Sequence, residues 1–164
     1  MKIELKNIKY ASFASEETAC YEASLYIDGK KIGVVSNEGH GGPDSFHADV
    51  PIPNNNIRHQ EACDWCIANL PKWYIRGETF DTDLEMHCAK LLEDHLLAKD
   101  LKAALRKKVL FTMPSEDGIQ VVSFKRITKI GEWQIKHVVD KYKPDCVLNS
   151  LPFAEALSMY REAV

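Results

Sequence analysis

No apolar run in this 164-residue chain approaches the roughly 18 residues that a membrane-spanning helix requires. The opening Met1-Lys2-Ile3-Glu4-Leu5-Lys6 alternates too quickly for the core of an export signal. The expectation is therefore no membrane contact and a cytoplasmic protein, in a bacterium or a phage-infected host. Cysteine is sparse and odd in number, five residues, with Cys63 and Cys66 inside an apparent helix, which points to reduced thiols rather than a disulfide framework. Net charge is also small, −3, so the molecule as a whole is no polyanion binder. There is no Gly-x-Ser-x-Gly elbow, no glycine loop ending in Lys-Ser/Thr and no GxGxxG. Acyl transfer, P-loop phosphate binding and dinucleotide binding lose their usual signatures, and no cofactor is implied.

What is present is a globular balance, 45% hydrophobic and 27% charged residues. At this length about 70% of the unfolded surface can be buried, so a core needs no metal or disulfide staple. Ile3 and Leu5 alternate with polar residues, slip phase at Lys6-Asn7 and resume at Ile8 and Tyr10, which predicts a bulged strand. Tyr21, Ala23, Leu25 and Ile27 share one face of a second strand, Asp28-Gly29 supplies a tight turn, and Ile32 and Val34 carry the return. Periodicity then disappears from Ser36 to Asn56. A helix over about Ile57 to Leu70 follows, capped by one of the asparagines before it and stopped by Pro71, and Trp73-Tyr74-Ile75 forms a short apolar clamp.

Thr82-Asp83-Leu84-Glu85 has the capping-box pattern and opens a long helix to about Lys107. Val109–Met113 and Ile119–Phe124 make a second hairpin around 114–118. Ile135, Val138, Val139 and Tyr142 mark another helix, Cys146-Val147-Leu148 a short strand, and Phe153, Leu157 and Tyr160 a last helix after Pro152. Strands grouped apart from helices predict α+β: an N-terminal three-stranded antiparallel meander, then helices, a second hairpin and a C-terminal helix. No linker stands out, so 1–164 reads as a single domain, with lobes 1–54 and 55–164 as the alternative.

The glycine-rich stretch Gly39-His40-Gly41-Gly42-Pro43-Asp44 is the first candidate site, because glycines let backbone approach a ligand closely. Asn37, His40, Gly41, Gly42, Asp44 and His47 are its candidate contact residues. His40, Asp44 and His47 also have the two-imidazole, one-carboxylate composition of an open metal site. Cys63 and Cys66 have half-site spacing, with His87-Cys88 as a conceivable second half, although both pairs suit a helical core equally. Asp81, Asp83 and Glu85 suit a helix N-terminus. Trp65, Trp73 and Trp133 are expected as core or lobe-junction anchors.

Charge is unevenly placed. From Lys99 to Lys143 eleven basic residues face five acidic ones, a local +6 that leaves −9 elsewhere. Lys99, Lys102 and Arg106 form one helical stripe, extended by Lys107, Lys108, Lys125, Arg126 and Lys129. Such a stripe neutralises phosphates or an acidic protein face, although no aromatic residues interleave with it in the sequence as a single-strand platform needs.

Ser15-Glu16-Glu17-Thr18-Ala19-Cys20-Tyr21, Ser24 to Lys31, Val35-Ser36-Asn37-Glu38-Gly39-His40-Gly41-Gly42 and Leu148 to Leu157 resemble segments of a group of small uncharacterised proteins from bacterial, plasmid and phage genomes. The resemblance implies a mobile-element setting and assigns no catalytic residue. The expected function is a non-enzymatic binding protein, a phage or mobile-element accessory factor that inhibits a host defence component, its partner a host protein or anionic ligand. The alternatives are a metal-assisted hydrolase or nucleotide-processing enzyme at His40, Asp44 and His47, and a nucleic-acid binder using the basic face.

Overall fold

The computed structural model describes residues 1–49, 53–114 and 116–163. They are α+β, as the grouping of strands and helices predicts, and they pack as two compact units, Met1–Glu93 and Asp94–Val164. The boundary falls inside a helix, where no proline, glycine or change of composition marks it. Among the described residues no helix is long and apolar enough to cross a membrane.

The first unit opens on an antiparallel sheet of four strands in sequence order, β1 (Ile3–Tyr10), β2 (Tyr21–Ile27), β3 (Lys30–Asn37) and β4 (Ser45–Ala48). The predicted bulge in β1 is present: the register with β2 shifts between Lys6 and Lys9, and Asn7 takes φ +54°. Tyr21, Ala23, Leu25 and Ile27 are all buried. Asp28 and Gly29 both have positive φ, as a two-residue hairpin turn demands. A register shift between Leu25 and Tyr26 then moves the buried return position from the expected Val34 to Val35.

β4 lies within the stretch expected to be irregular, and it makes the meander four-stranded. Only Phe46 among its residues is large and apolar, so alternation has nothing to reveal. Its close approach depends on Gly33, where an added Cβ would meet the Phe46 ring at 2.6 Å. Val50, Pro51 and Ile52 of that stretch, and Ser115 of the second hairpin turn, lie outside the described residues.

Helix α1 runs Pro53–Asn69, so it starts before the predicted Ile57 and the asparagines fall in its first turn rather than ahead of it. It buries Ala62 and Cys66. Trp73–Ile75 is not a lone clamp but β5, paired with β6 (Glu78–Phe80) in a two-stranded hairpin. Helix α2 (Leu84–Lys107) is capped by Asp83 rather than by the expected Thr82: the Asp83 carboxylate accepts from the Met86 amide at 2.8 Å, while the buried Thr82 hydroxyl donates to the Pro71 carbonyl.

The second unit is a sandwich around one strand. β7 (Lys108–Met113) lies between β8 (Glu116–Ser123) and β9 (Cys146–Val147), antiparallel to both. Its alternation sends Leu110 to one side, against Leu101 and Leu105 of α2 and Phe153 and Leu157 of α4 (Phe153–Ala163). Val109 and Phe111 go to the other, against Ile135, Val138 and Tyr142 of α3 (Glu132–Tyr142). A strand buried on both faces explains the unbroken apolar run Val109-Leu110-Phe111.

Candidate functional site

The loop between β3 and β4 is held by its own chain. The Gly39 carbonyl accepts three backbone N–H bonds, from Glu16, Glu17 and Thr18, at 3.0–3.3 Å. The Asn37 amide is the hub: its oxygen accepts from the Thr18 hydroxyl at 2.7 Å and the Gly39 N–H at 2.8 Å, and its nitrogen donates to the Gly42 carbonyl and the Asp44 carboxylate. Residues 16–18 and 37–44 thus meet in one knot. Gly39 is buried at φ +90°, and an added Cβ there would overlap the Ala14 carbonyl oxygen.

Above this knot, Asn37, His40, Gly41, Gly42, Ser45 and His47 line an open cleft of about 250 Å³. Five of the six loop residues picked out from the sequence are therefore brought together. His40 and His47 are exposed, and the His40 ring nitrogen Nδ1 lies 3.1 Å from the Glu16 carboxylate. Asp44 is engaged elsewhere. Its carboxylate accepts hydrogen bonds from the Tyr21 hydroxyl and the Asn37 amide, and its own backbone N–H donates to Glu85 at 3.1 Å. Burial, then the Asp44 hydrogen bond and charge, push the Tyr21 ionisation far above its ordinary value, so this phenol is a fixed donor.

Asp44 faces a neighbouring cleft of about 210 Å³ with Phe46, His59, Cys63, Asp83 and Cys88. His59 stacks on Phe46 at 4.1 Å, and its Nδ1 lies 3.9 Å from the Cys63 sulfur. Burial holds the His59 pKa below its usual value, and burial followed by nearby carboxylates pushes the Cys63 thiol up. Cys66 is pushed up to about 11 by burial, then by Cys63 and Asp83, and the buried Cys88 shifts in the same direction. These are neutral thiols at pH 7, the opposite of an activated nucleophile. Among the described residues, no three or more His, Cys, Asp or Glu side chains are grouped to hold a metal ion, so His40, Asp44 and His47 do not converge, nor do Cys63, Cys66, His87 and Cys88.

The basic stripe belongs to the second unit. Lys99, Lys102 and Arg106 are exposed along α2, and the Lys102 ammonium sits 5.0 Å from the centre of the Phe153 ring. The Ile130 N–H donates to the Arg106 carbonyl at 2.8 Å. That single bond brings the 125–130 segment, with exposed Lys125, Arg126 and Lys129, to the end of the helix. None of these cations makes an ion pair among the described residues.

Trp133 departs from the expected core role: it is 65% exposed. Its ring stacks on His137 at 5.4 Å, and Phe124 meets both edge-on at about 6 Å. Trp133 and His137 are one helical turn apart on α3, off the 135/138/142 stripe that faces the core; that offset was the sequence signal for an exposed pair. No protein-family model, curated protein or solved structure matches the chain.

Proposed function

We propose that this chain is a binding protein that recognises an anionic macromolecule through the basic end of α2 and the 125–130 segment. In the mobile-element setting that the resembling segments imply, the partner is an anionic host component that the chain sequesters or inhibits. One observation carries the proposal: exposed Lys99, Lys102, Arg106, Lys125, Arg126 and Lys129, drawn toward one end of a helix by the Ile130–Arg106 bond, lack carboxylate partners among the described residues. Unpaired cations on a surface cost self-repulsion and are relieved when a polyanion displaces their counterions. The neutral thiols and the engagement of Asp44 by Tyr21 and Asn37 favour recognition over catalysis in the first unit, where the glycine-loop cleft offers a second contact surface.

Chromatography on immobilised heparin tests this. The protein is expected to be retained at 50 mM salt and to elute as salt rises, and the Lys99→Ala/Lys102→Ala/Arg106→Ala variant to elute earlier. Passage of the unmodified protein through the column at 50 mM salt would remove the proposal.

A further inference from the structure

The basic end of α2 is joined to an aromatic surface of its own unit, and the pair fits one class of polyanion. We infer that Phe124, Trp133 and His137 form a stacking platform for the bases of single-stranded nucleic acid, with Arg106, Lys107, Lys108, Lys125, Arg126, Lys129 and Lys136 flanking it for the phosphates. The inference rests on the proposed polyanion recognition and narrows it to a ligand.

Three observations carry it. The platform is preassembled: Trp133 and His137 are nearly parallel, 17° between ring planes, and Phe124 braces both while packing into the Val109/Phe111/Val138 core. A large aromatic face held open to water in this way invites a flat ligand, and every base offers a π-face. Cations adjoin it in the chain: Lys125 and Arg126 follow Phe124 directly, Lys129 lies five residues on, Lys136 adjoins His137, and the pairing of Lys108 with Ser123 sets Lys108 beside the strand end that leads into Phe124. All seven flanking cations are exposed.

The platform also discriminates between anions. An acidic protein face would use the lysines and leave the ring stack idle, and a duplex hides its base faces within its own stack. Single strands use both. Glu132, exposed beside Trp133, is the one carboxylate of α3's first turn.

Fluorescence anisotropy with a labelled fifteen-nucleotide oligothymidylate, a duplex of the same length, and unlabelled heparin and poly-glutamate as competitors tests the inference. At 50 mM salt the single strand is expected to bind more tightly than the duplex. Trp133→Ala is expected to weaken single-strand binding about 5- to 150-fold while changing heparin retention little, and Trp133→Phe to restore most of the loss. Lys125→Ala and Lys129→Ala are each expected to lower the slope of log affinity against log salt by about 0.7. Because Trp133 is exposed, Trp133→Ala should keep the fold; circular dichroism checks this, and His137→Ala provides a second readout of the stack.

Equal single-strand binding by Trp133→Ala and the unmodified protein overturns the inference, as does displacement by poly-glutamate as effective as displacement by the oligonucleotide. In both cases retention on heparin leaves the polyanion proposal standing. Absence of binding to every polyanion at 50 mM salt removes both.

Discussion

Gly39 and Tyr21 fix the glycine loop from opposite ends, and each makes a measurable claim. Gly39 has φ +90°, and the atom an added methyl would strike, the Ala14 carbonyl oxygen, is backbone and cannot swing aside. Gly39→Ala is expected to cost about 3 kcal/mol, the left-handed penalty plus the clash. Gly29→Ala, at φ +79° with nothing within 4 Å, should cost only about 1 kcal/mol. Urea unfolding of the two variants checks the contrast, and equal losses contradict it.

Tyr21 donates to the Asp44 carboxylate, so Tyr21→Phe is expected to cost about 1.5–3 kcal/mol at pH 7. Its pH dependence follows from the raised ionisation. Below pH 10, the ordinary phenol value, folded and unfolded chains both keep the proton and the contribution is complete. Above it the unfolded phenol loses its proton while the folded one retains it, so fewer protons are bound by the unfolded chain and stability falls by about 1.4 kcal/mol per pH unit. Tyr21→Phe lacks that slope. The gap between the two proteins should narrow between pH 10 and 11 in urea titrations, and a constant gap contradicts this account. The raised thiols of Cys63, Cys66 and Cys88 act in the same alkaline direction but are common to both proteins and cancel in the difference.

Asn149 works between elements. Its amide oxygen accepts from the Leu110 N–H of β7 at 2.8 Å, and its nitrogen donates to the Leu105 carbonyl at the end of α2 and the Lys108 carbonyl that opens β7. It therefore closes the C-terminal end of α2 and fixes the first residues of the central strand. Asn149→Ala should destabilise by about 2–3 kcal/mol. Asn149→Asp keeps the acceptor but loses both donors and sets a negative charge against the negative end of the helix, so it should be no better than alanine. Thermal unfolding midpoints measure both, and an aspartate variant as stable as the unmodified protein refutes the capping role.

The elements foreseen from the sequence are those whose burial is one-sided or complete. β2 alternates because one face is core, and β7 runs apolar because both are. β4 was invisible because it is a short edge strand whose position depends on Gly33 rather than on its own side chains. Thr82, Asp83 and Glu85 all suit a helix start, and only tertiary partners decide among them: the Pro71 carbonyl takes Thr82 and the Asp44 N–H takes Glu85. At the site, the loop cluster was visible as composition. Of the aromatic platform only the 133/137 pair has a spacing to read, since Phe124 follows the end of β8 while Trp133 lies on α3.

Charge is divided along the same boundary as packing. Met1–Glu93 holds nine basic and fifteen acidic residues, net −6; Asp94–Val164 holds twelve and nine, net +3. The net −3 thus conceals a unit of positive charge, and under the proposed function location rather than total should govern binding. Two double variants separate these quantities, because Lys99→Glu/Lys102→Glu and Lys30→Glu/Arg76→Glu both take the formal charge from −3 to −7. At 0.15 M salt the Debye length is about 8 Å, so a charge outside the contacted surface contributes little. There the first pair should weaken heparin binding at least tenfold and the second less than twofold. Near 0.01 M salt, where fields reach about 30 Å, both should weaken it. Equal losses at 0.15 M would mean that total charge governs the encounter, and the stripe on α2 would then have no special standing as a contact surface.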